Sequence, residues 1–427
     1  MERNAPRECK LSEPSVVGFP ASLPTGLKGR RGWVGLLLAL GVVFTARPLW
    51  VRTAVLVDLH QARRALAQSD LDRAHEWLQA ALERQPDNAD LHYLLARVYR
   101  RGRLYLRAKE HLERAAALGW PQNDLELQWT MLLFQMGDIR EAELTSLLER
   151  GVDDELAEEV YDALMTGYMT EYRMQDADRC LEHWLAWQPR SVAARIWRAS
   201  HLQALLRNEE YQAALRDVLA IDPARVDQRL ALAHWLTKEA RVDEALEELE
   251  ICMKQAPDDA RVRLAMGLCH YKQGAIDDAR RELEESVSKS LDAGDEARAR
   301  TTLGQIAIDG ADYELAARHF KRAMELAPES SVAPHGLGTA LTRMGDVEGG
   351  KPYLQRSQVL HDLEWQLQDV GPKLLKDPEN TTLRLEAANI LLQIGDKAGA
   401  AKYMLSALNY DPELPEAHQM LADFFEE

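Results

Sequence analysis

The chain has 427 residues, of which 46% are apolar and 28% charged, a composition sufficient for a large folded core. Its net charge of −17 is uneven: residues 1–120 hold 19 Lys and Arg against 12 Asp and Glu, whereas residues 121–427 hold 33 against 57. Such an acidic body argues against broad nucleic-acid binding, which depends on neutralising phosphates. Four scattered cysteines also exclude a disulfide framework.

The N-terminus differs from the rest of the chain. Residues 1–31 are polar and rich in Pro, Gly and Ser, which predicts a disordered tail. Residues 32–46 contain no charge, and the apolar stretch continues to Val51 with one interruption, at Arg47 and Pro48. A span over residues 32–51 is long enough to cross ~30 Å of hydrocarbon. We therefore predict a transmembrane helix there.

This apolar segment has three interpretations. The preferred one is an uncleaved signal anchor, because Lys28, Arg30 and Arg31 precede the span and Trp33 and Trp50 flank it. The same cations favour a single-pass protein with a cytoplasmic N-terminus and a body on the far side, periplasmic or extracellular. A cleavable signal peptide is the first alternative, although the run lacks the usual small residues before a cleavage site. A helix buried in the protein is the second alternative.

From residue 55 onward the apolar pattern is helical and is interrupted by short loops carrying GD, AD, DP or AP. The pattern repeats with a period of about 34 residues, which lies in the range of repeat architectures. The most regular feature is a small residue in each second helix, at Ala74, Ala108, Ala142, Ala177, Ala245, Ala279, Ala316 and Ala400. A second small residue recurs in the first helix, at Ala62, Ala96, Ala233, Gly267, Gly304, Gly338 and Ala388.

This arrangement resembles the tetratricopeptide repeat (TPR), a helix–turn–helix unit of about 34 residues. One unit begins at Ala297 and carries the family pattern at Leu303, Gly304, Ala316, Phe320, Ala323 and Pro328. The resemblance implies an all-α, right-handed superhelical solenoid over residues 55–427. Small residues would let the two helices of a unit approach to ~8–10 Å.

The sequence predicts about ten units and a C-terminal capping helix. The units begin near Val55, Ala89, Asn123, Glu158, Val192, Val226, Ala260, Ala297, Ser331 and Thr381. Residues 358–380 form an irregular insertion after the ninth unit, which we expect to be an extra or distorted helical pair. A lone helix after Pro412 would cover the apolar face of the last unit.

No motif for chemistry stands out, and we predict a non-enzyme without metal or cofactor. Gly345–Pro352 approaches a phosphate-binding loop, but Pro352 replaces the Ser or Thr that would bind Mg²⁺, and no strand precedes it. Cys252 and Cys269 are expected to be small buried apolar residues. An enzyme with a site in the 358–380 insertion is the remaining alternative.

The resemblance instead implies protein or peptide binding in a concave groove lined by the first helices. In units two to four the candidate groove residues are Tyr93, Arg97, Arg100, Arg101, Leu127, Met131, Phe134 and Met169. Arginines beside partly exposed apolar residues predict an acidic segment with apolar anchors as the partner. The alternative is that the arginines are simply solvated or face anionic lipid. The predicted function is a membrane-anchored scaffold, for example in assembling an envelope or secretion complex, or else an exported soluble scaffold.

Overall fold

The computed structural model describes residues 50–67, 70–136, 141–151 and 154–426. Every regular element in these ranges is a helix, which confirms the predicted all-α class. The predicted tail at 1–31 and the predicted span at 32–51 lie outside them, apart from residues 50 and 51. Of the helices that are described, none combines the length and hydrophobicity required to cross a bilayer.

The structure describes 21 helices, which we number in chain order as ten sequential pairs and one final helix. Their bounds are α1 (50–67), α2 (Leu71–Arg84), α3 (Ala89–Arg101), α4 (Tyr105–Ala117), α5 (Gln122–Gln135), α6 (Glu141–Arg150), α7 (Asp154–Thr170), α8 (Met174–Trp187), α9 (Val192–Ala204), α10 (Asn208–Ile221), α11 (Val226–Lys238), α12 (Val242–Gln255), α13 (Ala260–Gln273), α14 (Ile276–Ser288), α15 (Ala293–Asp309), α16 (Tyr313–Leu326), α17 (Val332–Arg343), α18 (Val347–Lys376), α19 (Thr381–Ile394), α20 (Lys397–Tyr410) and α21 (Pro415–Glu426).

Local sequence signals explain where these helices begin and where each pair turns. Side-chain oxygens accept a backbone N–H at several helix starts, with Asp70, Asn88, Asp259 and Asn380 as examples. The turn inside a pair requires a residue in the left-handed region. Glycine meets this requirement at residues 274, 345 and 395, whereas Tyr172, Leu206, Ala240 and Ala311 adopt it at φ values of 57° to 61°.

The small residues of the repeat face a large residue 16 positions later in the partner helix. A methyl group added at Gly304 would lie 2.8 Å from Cζ of Phe320, and one added at Gly267 would lie 2.7 Å from Cγ of Leu283. Those distances are shorter than an ordinary carbon–carbon contact. The missing side chain therefore lets the two helices of a pair approach closely, as the repeat pattern predicts.

The chain divides into two compact units. The first comprises residues 1–103 and 113–120, and the second comprises residues 104–112 and 121–427. In the first unit Arg84 forms an ion pair with Asp58, and the Tyr93 ring stacks on Trp120 at 4.7 Å. In the second unit successive helices from α9 to α20 pack in chain order, and each pair buries its apolar face against the next.

The insertion after the ninth unit is not the extra or distorted pair that the sequence predicts. Residues 347–376 form one continuous helix of 30 residues, α18, which contains both Pro352 and Pro372. Leu360, Leu363 and Val370 along its second half are buried against α19. The insertion therefore lengthens the second helix of the ninth pair rather than adding another pair.

The last helix caps the array. Met420 and Leu421 of α21 pack against a cluster that contains Ala388, Ala400 and Met404. A terminal pair would otherwise expose the face that inner pairs bury against a neighbour.

Candidate functional site

The first helices of three successive pairs form a groove in the second unit, which we call the central groove. It has a volume of about 460 Å³. Its lining from these helices is Asp227, Leu230, Ala231, His234 and Thr237 on α11, Arg261, Leu264, Ala265 and Leu268 on α13, and Asp295 and Arg298 on α15. Gln203 and Tyr211 complete the wall.

The floor of the central groove is apolar. Leu264 is buried, whereas Leu230 and Leu268 are only partly covered and present apolar surface to the groove. Residues on neighbouring first helices lie side by side, because each pair stacks on the next through the same face. A partner side chain entering here would exchange water for leucine surface, which is favourable by about 25 cal/mol per Å².

The rim of the central groove carries charges that are already paired. Arg261 binds Asp227 at 2.8 Å and Asp259 at 2.7 Å, and Arg298 binds Asp295 at 3.0 Å. Such exposed pairs contribute little to stability. The paired rim favours an apolar partner segment over one chosen by charge alone.

His234 projects between these walls. Its side chain is exposed to the groove. Desolvation by the surrounding helices lowers its pKa from the usual 6.5, and the cations Arg298, Lys238 and Lys272 lower it further, against a smaller opposite effect of Asp295. The ring is therefore neutral at pH 7 and able both to donate and to accept a hydrogen bond. It adds one polar contact point to an otherwise apolar floor.

The residues predicted to line a groove in units two to four have different environments. Met131 and Phe134, expected to be partly exposed, belong to the core, with 0% and 4% of their surface accessible. Phe134 packs against Gly167, whose missing side chain makes room for the ring, and meets Tyr168 edge-on at 5.7 Å. The expectation of exposure is therefore wrong for these two residues.

The arginine cluster is also less exposed than expected. Arg100 is buried, with 1% of its surface accessible, and Arg101 donates from Nη1 to the carbonyl of Leu66 at 3.0 Å. Arg97 and Tyr93 are half-buried. In the second unit Leu127 and Met169 are partly buried and pack against the Phe134 core. Partner binding by Tyr93, Arg97, Arg101, Leu127 and Met169 remains a prediction.

The remaining sequence features lie on ordinary helical structure. Gly345 occupies the left-handed turn before α18, and Asp346 caps that helix through the N–H of Gly349 at 2.9 Å. Cys180, Cys252 and Cys269 are buried and unpaired by disulfides. Within the described ranges no group of three His, Cys, Asp or Glu is arranged to hold a metal ion.

Family models support the repeat assignment in two stretches of the chain. Models described as tetratricopeptide repeat match residues 59–123, 236–306 and 297–330. The comparison with curated protein sequences gives no match.

Solved structures with similarity to this chain come from several systems. PilW, described as a widely conserved type IV pilus biogenesis factor, is 19% identical over 48% of this chain and 94% of its own, with a TM-score of 0.42. The Cut9–Hcn1 complex of the APC/C is 14% identical over 93% and 96%, with a TM-score of 0.41. Pseudomonas aeruginosa PilF is 20% identical over 54% and 97%, with a TM-score of 0.35.

Proposed function

We propose that this chain is a protein–protein interaction scaffold that binds an extended partner segment in the central groove; models of the tetratricopeptide repeat, which match residues 59–123 and 236–330, support the scaffold role. The apolar floor formed by Leu230, Leu264 and Leu268 carries this proposal. Extended segments suit a groove that runs across parallel first helices, because alternate side chains can point into it. The segment that fits best has one or two apolar anchors and a polar group that can reach His234.

The proposal changes the partner site expected from the sequence. An acidic segment was expected from Arg97, Arg100 and Arg101, but Arg100 is buried and Arg101 is engaged by a backbone carbonyl. The residues that line the central groove occupy the same repeat positions as those predicted in units two to four, about one-third of the chain further on. Its occupant is chosen mainly by apolar contact, and the paired rim charges set its orientation.

The test compares replacement of leucine by alanine inside and outside the groove, on the full-length chain. The partner is first identified by mass after capture from detergent-solubilised membranes, and its binding segment is then purified. Leu230→Ala with Leu268→Ala should strongly reduce binding of this segment. Leu206→Ala, at a leucine that is 72% exposed outside the groove, is the matched control and should leave binding unchanged. Equal affinity of both variants for the segment would show that the groove is not the site.

We further propose that the chain is anchored in a membrane through residues 32–51, with its body on the far side of the membrane from the N-terminus. The uncharged run and the flanking tryptophans of the sequence support this anchoring. Trp50, Leu56 and Val57 at the start of α1 are each more than half exposed, which suits a segment close to lipid.

Anchoring is tested by extraction. Full-length protein should stay in the membrane pellet after a carbonate wash, because salt and high pH do not release a helix from hydrocarbon, and deletion of residues 32–51 should release it. Appearance of the full-length protein in the supernatant would refute anchoring. Protease protection of the body in sealed vesicles would report on its side of the membrane.

A further inference from the structure

The turn between α7 and α8 contacts helices that come much later in the sequence, within the second unit. Arg384 Nη2 donates to the Glu171 carbonyl at 3.2 Å, and Ser406 Oγ donates to Glu171 Oε2 at 2.6 Å. The Tyr172 and Tyr403 hydroxyls hydrogen-bond at 2.7 Å. These contacts span 213 to 235 residues of sequence. The fourth pair therefore meets the tenth directly, in addition to the contacts between successive pairs.

The insertion in α18 supplies the surface that receives this turn. Tyr172 packs against an apolar cluster built from Leu360, Leu363, Val370 and Leu374 of α18 and from the facing residues of α19. All four α18 residues lie within 358–380, the segment that departs from the regular repeat. The longer helix therefore supplies part of the apolar surface against which Tyr172 packs.

The centre of the contact holds a buried ion pair. The side chains of Arg384 and Glu171 are 0% and 6% exposed, and Arg384 Nη2 lies 3.3 Å from Glu171 Oε2. The guanidinium also stacks on Tyr410 at 4.7 Å. Yet Arg384 Nε and Nη1 are buried without a hydrogen-bond partner in the described part of the chain. Burying two charges with donors left unpaired costs desolvation energy that the attraction only partly offsets.

A contact made by one turn and containing such a pair is poorly suited to permanent closure. It specifies one position of the turn, because Glu171 and Arg384 must meet, but it adds little net stability. We propose that Glu171 and Tyr172, with Arg384, Tyr403 and Ser406, form a reversible clasp that closes the second unit on itself. The pairs between the two sides of the clasp carry the central groove, so release of the clasp changes the spacing of its walls.

This inference rests on the proposed function only for its effect on the partner; the closure itself is tested without one. Spin labels on exposed Glu182 in α8 and Leu405 in α20 would report the distance across the clasp in the detergent-solubilised full-length chain. A Cys9→Ser background limits labelling to the two introduced cysteines, because Cys180, Cys252 and Cys269 are buried.

The clasp variant is Tyr172→Gly, and Leu206→Gly is its matched control. Both native residues hold the left-handed turn position of their pairs, at φ values of 60° and 57°, where glycine fits without strain. Tyr172→Gly should therefore preserve the local turn and remove only the ring and hydroxyl that reach the tenth pair. The Leu206 side chain is 72% exposed and outside the clasp.

The wild-type protein and Leu206→Gly should show a main population at the short distance of the closed clasp, and Tyr172→Gly should show a distribution shifted to longer distances. Tyr403→Phe with Ser406→Ala, which weakens the clasp from the other side, should give the same shift if Tyr172→Gly proves poorly folded. Unchanged distances in both clasp variants would overturn the proposal, as would the absence of the short distance in the wild type. Loss of segment binding in the groove variants with unchanged distances would concern the binding site alone.

Discussion

Gly304→Ala tests whether close packing of small against large residues holds each helix pair together. The added methyl would lie 2.8 Å from Cζ of the Phe320 ring, and Phe320 is 1% exposed. Ordinary carbon contacts lie at about 3.5–4.0 Å, so the overlap is roughly 1 Å. Gly336 of α17 lies against another edge of the same ring, which leaves it little room to turn.

The magnitude follows from two opposing effects. Overpacking a well-filled core costs about 1–3 kcal/mol, and replacing glycine with alanine inside a helix returns about 1 kcal/mol. The free energy of unfolding should therefore fall by up to about 2 kcal/mol. Gly294→Ala in the same helix is the control, because its methyl would meet only Asp292 Oδ1 at 3.5 Å, an ordinary contact. That control should be neutral or slightly stabilising.

The assay is urea unfolding, monitored by circular dichroism. Because repeat arrays do not unfold as one unit, amide hydrogen exchange across α15–α17 localises the effect. Combining Gly304→Ala with Phe320→Leu should recover much of the loss, since the pair then resembles Ala233 and Leu249, which lie together in one buried cluster. Equal stability of Gly304→Ala and Gly294→Ala, or no recovery in the double variant, would refute the packing argument.

Two further predictions concern titratable groups. Burial raises the pKa of Cys180 to about 12 and that of Cys252 to about 11, so both thiols are protonated at pH 8. Both should react with a thiol reagent only after unfolding. Fast reaction of the folded Cys9→Ser protein would contradict this expectation. The pKa of His234 in the folded protein is lowered from 6.5, so as the pH falls the unfolded state binds a proton before the folded state does. The contribution of neutral His234 to folding stability is therefore present above pH 6.5 and is lost as the pH falls below it. Its NMR titration midpoint should lie below 6.5 and rise in Arg298→Gln; a midpoint above 6.5 would show that the ring is not desolvated as described.

The repeat pattern was sufficient to predict helices, their pairing and several helix starts. The predicted unit starts Ala89, Val192, Val226, Ala260 and Thr381 are also the first residues of α3, α9, α11, α13 and α19. This succeeds because a small residue facing a large one 16 positions later is a local requirement that recurs along the array. The sequence records such requirements directly.

Exposure along the first helices was harder to predict. In α5 apolar residues occupy almost every side, so position in the repeat does not separate the groove face from the core, and Phe134 turns toward Gly167. Position in the repeat does predict the central groove, since His234 and Leu268 occupy matching groove positions in the first helices of units six and seven.

The continuous helix through the insertion and the contacts of the clasp could not be predicted from the local sequence. Pro352 and Pro372 normally favour a break, yet α18 continues through both. The partners of Glu171 and Tyr172 lie 213 to 235 residues further along the chain, and no periodic pattern encodes a contact at that separation.

The clasp also bears on how this chain comes apart. A linear repeat array loses structure most easily at its ends, because a terminal pair has one neighbour, and its stability is close to a sum of nearest-neighbour interactions. Here the tenth pair has a second attachment, to the fourth. Fraying of the tenth pair must then first break its contacts with the fourth pair. These contacts close a loop of more than 200 residues, so they form slowly during folding. The array should consequently mature late in folding.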